Sequence, residues 1–320
     1  MKIIRCLFYS TIVLSSTVHA IEESVEQGFS GEFGIFAGYS NTNSNFNTET
    51  NETITSLNQG GKSDSEAVFV PLGSLRYQFG DHQIFLGQSE DTFVRGVLAA
   101  EIGYKNQLSR DSAISISYAP TVVDAKTWQN PYALNSTRKK TDIKVDAYRL
   151  KYEFSSLTAN FVYYDRKLDT ETSGVSNNVD ASLLNRNGDG YLGKLAYGLP
   201  ISENMLIEPS LLYRKDSADG KAMAYDNMGV GITHYIMAGA STYVLDARYS
   251  QADFDAVNPL FGKTRKDDRM SINFSYEYLG VFGLQNLSLT GQLSYEKLDS
   301  NIKFYNEQDY SILVGSYFYF

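Results

Sequence analysis

Cysteine is nearly missing from this chain of 320 residues, which has one, Cys6. A disulfide scaffold needs pairs of thiols, so that class is excluded. Proline is scarce, with 6 residues against 13% aromatics, and such a composition is neither collagen-like nor disordered. After the first twenty residues, charges or Asn, Gln and Gly interrupt every apolar run well short of the ~20 residues that a spanning helix needs, which removes helical membrane proteins. Positive charge is in the minority, with 28 Lys and Arg against 37 Asp and Glu. Nucleic-acid binding requires clustered bases to displace counterions, so no nucleic-acid partner is expected. What remains is a soluble β-rich protein or a transmembrane β-barrel.

The first residues separate these two. Lys2 and Arg5 precede an apolar run over 6–14, and Val18-His19-Ala20 ends the segment. This is the basic head, apolar body and A-x-A-like site of a secretory leader, too short in its apolar part to be an anchor. The pattern predicts a signal peptide over 1–20, a short N-terminal segment over 21–28 and one barrel domain over 29–320. Cleavage after Ala20 takes Lys2, Arg5 and Cys6 with it, lowering the formal charge from -9 to -11. No cysteine then stands at the cut to carry a lipid.

Period-two alternation runs through the rest of the chain. Met270, Ile272, Phe274, Tyr276 and Tyr278 alternate with Ser271, Asn273, Ser275 and Glu277, and Leu287, Leu289, Leu293 and Tyr295 with Ser288, Thr290, Ser294 and Glu296. Successive strand side chains point to opposite faces, so one face is apolar and the other polar. The same pattern, clear or faint, marks 29–39, 67–79, 83–88, 94–104, 114–122, 148–154, 157–163, 191–199, 205–213, 223–237, 243–249, 270–278, 287–295 and 310–320. The fold predicted is an all-β, antiparallel, up-and-down transmembrane β-barrel of about 14 strands, or 12 if the short 83–88 and its neighbour form one irregular excursion.

Aromatic placement argues for lipid on the outside. Odd-numbered strands end on Tyr39, Tyr118, Tyr163, Tyr213, Tyr249 and Tyr295, and even-numbered ones on Phe79, Tyr104, Phe154, Tyr197, Tyr278 and Phe320. In antiparallel order these form two girdles roughly 20 Å apart, as in a membrane band. A soluble sandwich would hold its aromatics inside without such layering. Short links (80–82, 155–156, 200–204, 238–240) alternate with long polar ones (41–65, 124–140, 166–188, 255–265). That asymmetry predicts an outer-membrane location, both termini periplasmic, and long extracellular loops that are solvent-exposed with almost no apolar clustering. The 41–65 loop is the one expected to fold inward.

The motifs Gly28-Phe29-Ser30-Gly31-Glu32, Ser56-Leu57-Asn58-Gln59-Gly60, Pro71-Leu72-Gly73-Ser74, Thr127-Trp128-Gln129-Asn130-Pro131 and Leu184-Asn185-Arg186-Asn187-Gly188 resemble those of a family of uncharacterised outer-membrane β-barrels, a domain of unknown function, from Vibrio-like marine bacteria. The resemblance covers the chain after the leader. It implies a barrel and a location, and carries no activity or catalytic residue.

Parity assigns the lumen. Arg76, Arg95, Lys105, Arg149, Lys151, Lys194, Arg214, Arg248 and Arg269 face inward with Glu101, Glu153, Glu208, Asp246, Glu277 and Glu296. Such groups either pair and fill a closed lumen or line a water-filled pore with a transverse field. Fourteen strands enclose enough width to favour the pore. An apolar route for fatty acids is disfavoured by a lumen this polar. Chemistry has few footholds. His82 falls in a short turn and His234 lies on an apolar face beside Ile232 and Ile236, with no G-x-S-x-G setting, so no enzyme is expected. Asn185, Asn187, Asp189 and Gly190 begin like a calcium loop, but Ala196 stands where a bidentate Glu should be, and an Asn and Gly turn is the preferred reading. No metal or cofactor is expected. Trp128 either stacks on a sugar or, by preference, rests on the barrel rim.

The function read from the sequence is a porin-like channel for passive diffusion of small hydrophilic solutes, partly gated by its loops. The alternative is a non-conducting surface barrel whose loops bind a partner. Expected partners are outer-membrane lipid and lipopolysaccharide, the solutes, and the barrel-assembly machinery, met through the strand ending in Phe320.

Overall fold

The computed structural model describes residues 27–88, 98–123 and 125–320. The leader over 1–20 and the start of the fourth strand, 94–97, lie outside the described residues. Sixteen β segments follow one another: β1 (Gly28–Asn43), β2 (Ser63–Phe79), β3 (His82–Gln88), β4 (Leu98–Ser109), β5 (Ser112–Val123), β6 (Ala125–Trp128), β7 (Lys140–Phe154), β8 (Leu157–Leu168), β9 (Gly188–Tyr197), β10 (Leu199–Ser202), β11 (Met205–Ala218), β12 (Tyr225–Ala238), β13 (Ser241–Asn258), β14 (Lys263–Leu279), β15 (Leu287–Ser300) and β16 (Glu307–Tyr319). Segments β5 and β6 both pair with β7, and β9 and β10 both pair with β11, so each couple is one wall strand.

Every wall strand runs antiparallel to its neighbours, and β1 pairs with β16 to close the ring. The result is a closed antiparallel barrel of 14 strands. Strands spaced ~4.8 Å apart and tilted by ~40° make a ring roughly 28 Å across between backbones. Closure satisfies the backbone groups that an open sheet edge would strand in lipid. The seam is held at its end by mutual backbone bonds between Gly31 and Phe320, at 2.7 and 3.0 Å.

At one end the links are tight. Gly80 and Gly239 take positive φ of 59° and 62° in links of two residues, the backbone that a hairpin turn matched to strand twist requires. His82 opens β3 beside the first of these turns rather than sitting in it. The two weakest sequence segments are wall strands in their own right, with β3 paired to β2 and β4, and β12 to β11 and β13.

At the other end the strands run past the tyrosines where the apolar alternation stops. There β1 continues to Asn43 and β13 to Asn258. The ladder persists, but the outward side chains become Asp226, Asp253, Asp268, Lys215, Lys266 and Lys297. Apolar alternation records the lipid boundary, not the end of the strand.

The long links do not stand in solvent as separate loops, which corrects the sequence expectation. Ile54, Tyr132, Leu184, Met223, Phe304 and Tyr305 are buried together, with Phe46, Leu57 and Phe261 packed against them. Phe304 lies 5.4 Å from Tyr132 and 5.7 Å from Phe261, ring centre to ring centre. The Tyr132 and Tyr305 hydroxyls are 2.7 Å apart, and Asn258 donates to the latter at 2.8 Å. Burial pushes both tyrosine hydroxyls above their ordinary pKa. Contributions come from the six described links at this end, those after β1, β6, β8, β11, β13 and β15, so their common core roofs the mouth of the barrel. Each link supplies only a few apolar residues, far apart in sequence, and the cluster exists only in space.

Candidate channel lumen and its mouth

Strand parity sets the inner surface. On the inner wall, Lys105 of β4 pairs with Glu153 of β7 at 2.6 Å, and Lys151 reaches the same carboxylate at 3.6 Å. Arg149 meets Glu101 at 3.4 Å, both side chains only 6% exposed, and Ser117 donates to Glu101 as well. Lys194 stands opposite Asn160, and Arg214 lies 5.8 Å from the centre of the Tyr164 ring. Glu208 stands opposite Thr233 on the neighbouring strand.

Across the ring the balance reverses. Asp246 accepts from Thr233 at 3.0 Å and Asn273 at 3.2 Å, and pairs with Arg248 at 3.0 Å. Arg269 pairs with Glu296, Glu277 accepts from the Tyr319 hydroxyl at 2.5 Å, and Arg76 lies 4.0 Å from Glu32. Asp309 adds a further inward acid on β16. The arc from β4 to β11 thus carries Lys105, Arg149, Lys151, Lys194 and Arg214 against Glu101, Glu153 and Glu208. The arc from β13 through the seam to β2 carries Glu32, Asp246, Glu277, Glu296 and Asp309 against Arg76, Arg248 and Arg269. A wall rich in bases faces one rich in acids. Arg95 lies outside the described residues.

The inner wall is not polar throughout. Val145, Ala147, Val162, Tyr164 and Leu192 form an apolar patch on β7 to β9, and Phe36, Val70, Leu72, Leu313 and Tyr317 form another around the seam. The strand order sets these patches on opposite sides. The objection to an apolar route, that the lumen lacks apolar surface, is therefore weakened.

Several interactions escaped the sequence reading. Arg166 makes a two-pronged bond to Asp216 at 2.6 and 2.8 Å, joined by the Tyr164 hydroxyl at 2.7 Å. All three continue the inward parity of β8 and β11 beyond the tyrosine girdle, so extending each strand a few residues would have found them. In the cap, Arg186 bonds Glu171 at 2.6 Å and the Trp128 carbonyl at 2.6 Å. The Arg265 guanidinium sits 3.7 Å from the centre of the Tyr305 ring. No local pattern marks those contacts.

Trp128 is fully buried, which excludes both the rim and a sugar platform as its place. Its indole Nε1 donates to the Asn45 carbonyl at 3.1 Å, tying the 44–62 link to the end of β6. The 44–62 link, expected to fold inward, is built into the cap through Asn45, Phe46, Ile54 and Leu57.

The outer surface carries aromatics at two levels. Near the tight turns, Phe29, Tyr77, Phe79, His82 and Tyr104 follow one another at centroid spacings of 4.6, 5.8, 5.4 and 5.9 Å. Phe154, Tyr197, Tyr278 and Phe320 stand on the outside at the same end. Toward the cap, Tyr118, Tyr148, Tyr163 and Tyr191 are spaced by 5.1, 6.5 and 5.3 Å, with Tyr39 beside Tyr310 at 6.2 Å. Tyr295 stands opposite both Ile272 and Tyr310 on the flanking strands. The Tyr118, Tyr213 and Tyr249 hydroxyls donate to Asp146, Asp226 and Asp268 at 2.5, 2.6 and 2.6 Å. A ring in the apolar band with its hydroxyl on an acid just beyond suits a lipid boundary.

A family described as protein of unknown function DUF2860 matches residues 28–318. The chain belongs to that family. No curated protein matches it. Among solved structures it is similar to the outer-membrane channel DcaP of Acinetobacter baumannii, at 10% identity over 93% of this chain and 99% of that one, with a TM-score of 0.45. It is also similar to the CymD monoaromatic hydrocarbon channel, at 10% identity over 92% and 89% and a TM-score of 0.48. A third is OpdQ of Pseudomonas aeruginosa, at 9% over 91% and 98% and 0.39. Likeness of this order concerns general architecture and brings neither solute nor mechanism to this DUF2860 barrel.

The histidines are apart from one another and from the lumen. His82 Nδ1 lies 2.7 Å from the Tyr104 hydroxyl on the outer face, and His234 stands between Ile207 and Leu245 on outward positions of the flanking strands. In the suspected calcium loop, Asn185 Oδ1 accepts from the Asn187 amide at 2.9 Å and Asn187 Oδ1 from the Leu168 amide at 2.8 Å. These oxygens are used to shape the turn. Among the described residues no group of three His, Cys, Asp or Glu side chains is arranged to hold a metal ion.

Proposed function

We propose that this protein is a channel of the porin type in the outer membrane, passing small hydrophilic solutes passively, with both termini periplasmic and the capped loops outside. The observation that carries this reading is the polarised inner wall, bases on the β4 to β11 arc and acids on the arc around the seam, inside a ring wide enough to hold water. Opposed charge of this kind sets a transverse field that orders water and sorts solutes by charge and dipole. No cofactor or covalent chemistry enters this reading, and the barrel is taken not to be an enzyme. The leader over 1–20, assembly through the strand ending in Phe320, contact with lipopolysaccharide and a source among Vibrio-like marine bacteria belong to the same proposal. Planar-bilayer recording tests it. Discrete conductance steps are expected, and replacing Lys105, Lys151 and Lys194 together by Glu is expected to shift ion preference toward cations. A silent protein, or a selectivity indifferent to these three residues, overturns it.

A second reading has its own support. The cap gives the loops one fixed, jointly packed outer surface, suited to recognition of a partner. On that reading the barrel is a non-conducting mount, silent in the bilayer yet retaining partner cells or particles through its loops.

A further inference from the structure

Backbone register joins the inner charges into two rows that the balance of each arc does not reveal. Lys105 of β4 stands opposite Ser115, which stands opposite Lys151, then Asn160, then Lys194 of β9. This row crosses five wall strands and holds no acid. A second row begins at Glu208 of β11 and passes through Thr233, Asp246 and Asn273, then three serines, to Glu66 of β2. It holds no base. Strand tilt makes such rows climb, and the second starts near the tight turn before β11 and ends near the cap end of β2. A basic track and an acidic track therefore wind up the wall in the same sense, on different arcs of the lumen. Lys105 and Lys151 share Glu153, and Asp246 holds Arg248, each partner one inward step along its strand. No ion pair among the described residues engages Lys194 or Glu208.

We infer, on the channel reading above, that the solutes this barrel favours are zwitterions with well-separated ends, short peptides of about three or four residues, carboxylate toward the lysine row and ammonium toward the acid row. A solute with one charge gains from one row and is repelled by the other. A neutral sugar gains from neither beyond hydrogen bonds. A free amino acid carries both charges, but too close together to meet both rows at once. With ~5 Å of side chain on each wall, half the ~10 Å between packed sheets, a ring roughly 28 Å across leaves about 18 Å clear. Three or four extended residues reach ~10–14 Å, and the long lysine and glutamate side chains close the remainder. Between the charges, Ser115 and Asn160 on one row and Asn273 on the other present hydrogen-bonding groups to the peptide units.

The test follows uptake of labelled solutes by rapid filtration into liposomes that carry the mature barrel. The probes are triglycine, glucose, N-acetyltriglycine and N-acetyltriglycine amide. Triglycine is expected to enter several-fold faster than glucose or the doubly blocked amide, and faster than the singly charged N-acetyltriglycine. Lys105→Gln, Lys151→Gln and Lys194→Gln combined are expected to bring the ratio of triglycine to glucose entry near one. Glu208→Gln with Asp246→Asn is expected to lower the same ratio separately, and heat-modifiable migration in gels reports that each variant still folds. Glucose entry with triglycine no faster, or a ratio indifferent to both sets of variants, overturns the substrate class and leaves the channel reading standing. N-acetyltriglycine outrunning triglycine overturns it in favour of a plain preference for anions. Entry of no solute, in a barrel that is also silent in the planar bilayer, overturns both.

Discussion

The Arg138 guanidinium lies over the Trp128 indole, 4.3 Å from the ring centre, at the heart of the cap. Its donors are spent on backbone carbonyls, Nη1 on Asn45 at 3.1 Å and Pro131 at 2.9 Å, and Nε on Asn51 at 2.8 Å. One side chain therefore binds two loops that come from different sides of the ring. With no carboxylate among these partners, burial pushes the guanidinium pKa down to about 10. The charge is tolerated because backbone carbonyl acceptors and a π face replace its water.

Arg138→Met is expected to loosen the roof, not the barrel. Losing the stacked cation and its carbonyl bonds costs the cap about 2–4 kcal/mol. Limited proteolysis is expected to cut within 44–62 and 129–139 many times faster, with heat-modifiability unchanged. If the cap restricts a conducting lumen, single-channel conductance rises as well. Protease resistance equal to that of the wild type would show that the cap is held elsewhere. Arg138→Lys is expected to preserve little of the cap's resistance, since it offers a point charge in place of a fork.

The Glu101 and Arg149 pair offers a double-mutant cycle. Arg149→Met alone strands a nearly buried carboxylate and is expected to cost about 3 kcal/mol, measured by urea unfolding in lipid vesicles. Adding Glu101→Gln is expected to recover much of that loss, because the uncompensated charge goes with it. Additive losses would mean the two side chains act separately.

Two glycines separate steric need from tolerance. A Cβ on Gly38 would fall 1.9 Å from the Ile312 carbonyl oxygen across the seam, while one on Gly193 meets nothing within 4 Å. Gly38→Ala is expected to cost about 2 kcal/mol or more in barrel closure, and Gly193→Ala to be near neutral. Refolding yields in vesicles give the comparison, and equal yields would contradict it.

Amino-terminal sequencing of protein recovered from the outer membrane is expected to begin at Ile21, following Ala20. A mature chain starting at Met1 would remove the secretory argument.

Much of the wall was legible beforehand because side-chain direction in a strand follows from chain position alone. Once Leu289 and Ile272 were set outward, the inward places of Glu296 and Glu277 followed by counting along β15 and β14. Arg166 and Asp216 are not legible in the same way, because they lie where outward residues have become polar, so that alternation in hydropathy fades although the ladder continues. The burial of Trp128 is not legible locally, because nothing near it in the sequence is its partner. Its neighbours Asn45 and Arg138 arrive from distant parts of the chain.

The sequence by itself determined the class of molecule and the alternation along each wall strand, since these depend on a repeat of two and on where water gives way to lipid, and it left the strand number between 14 and 12. Only the tertiary structure decided how the barrel is roofed and how its inner charges are shared out around the ring. Both depend on which strands become neighbours when the seam closes, and closure brings together residues whose separation along the chain carries no periodic signal.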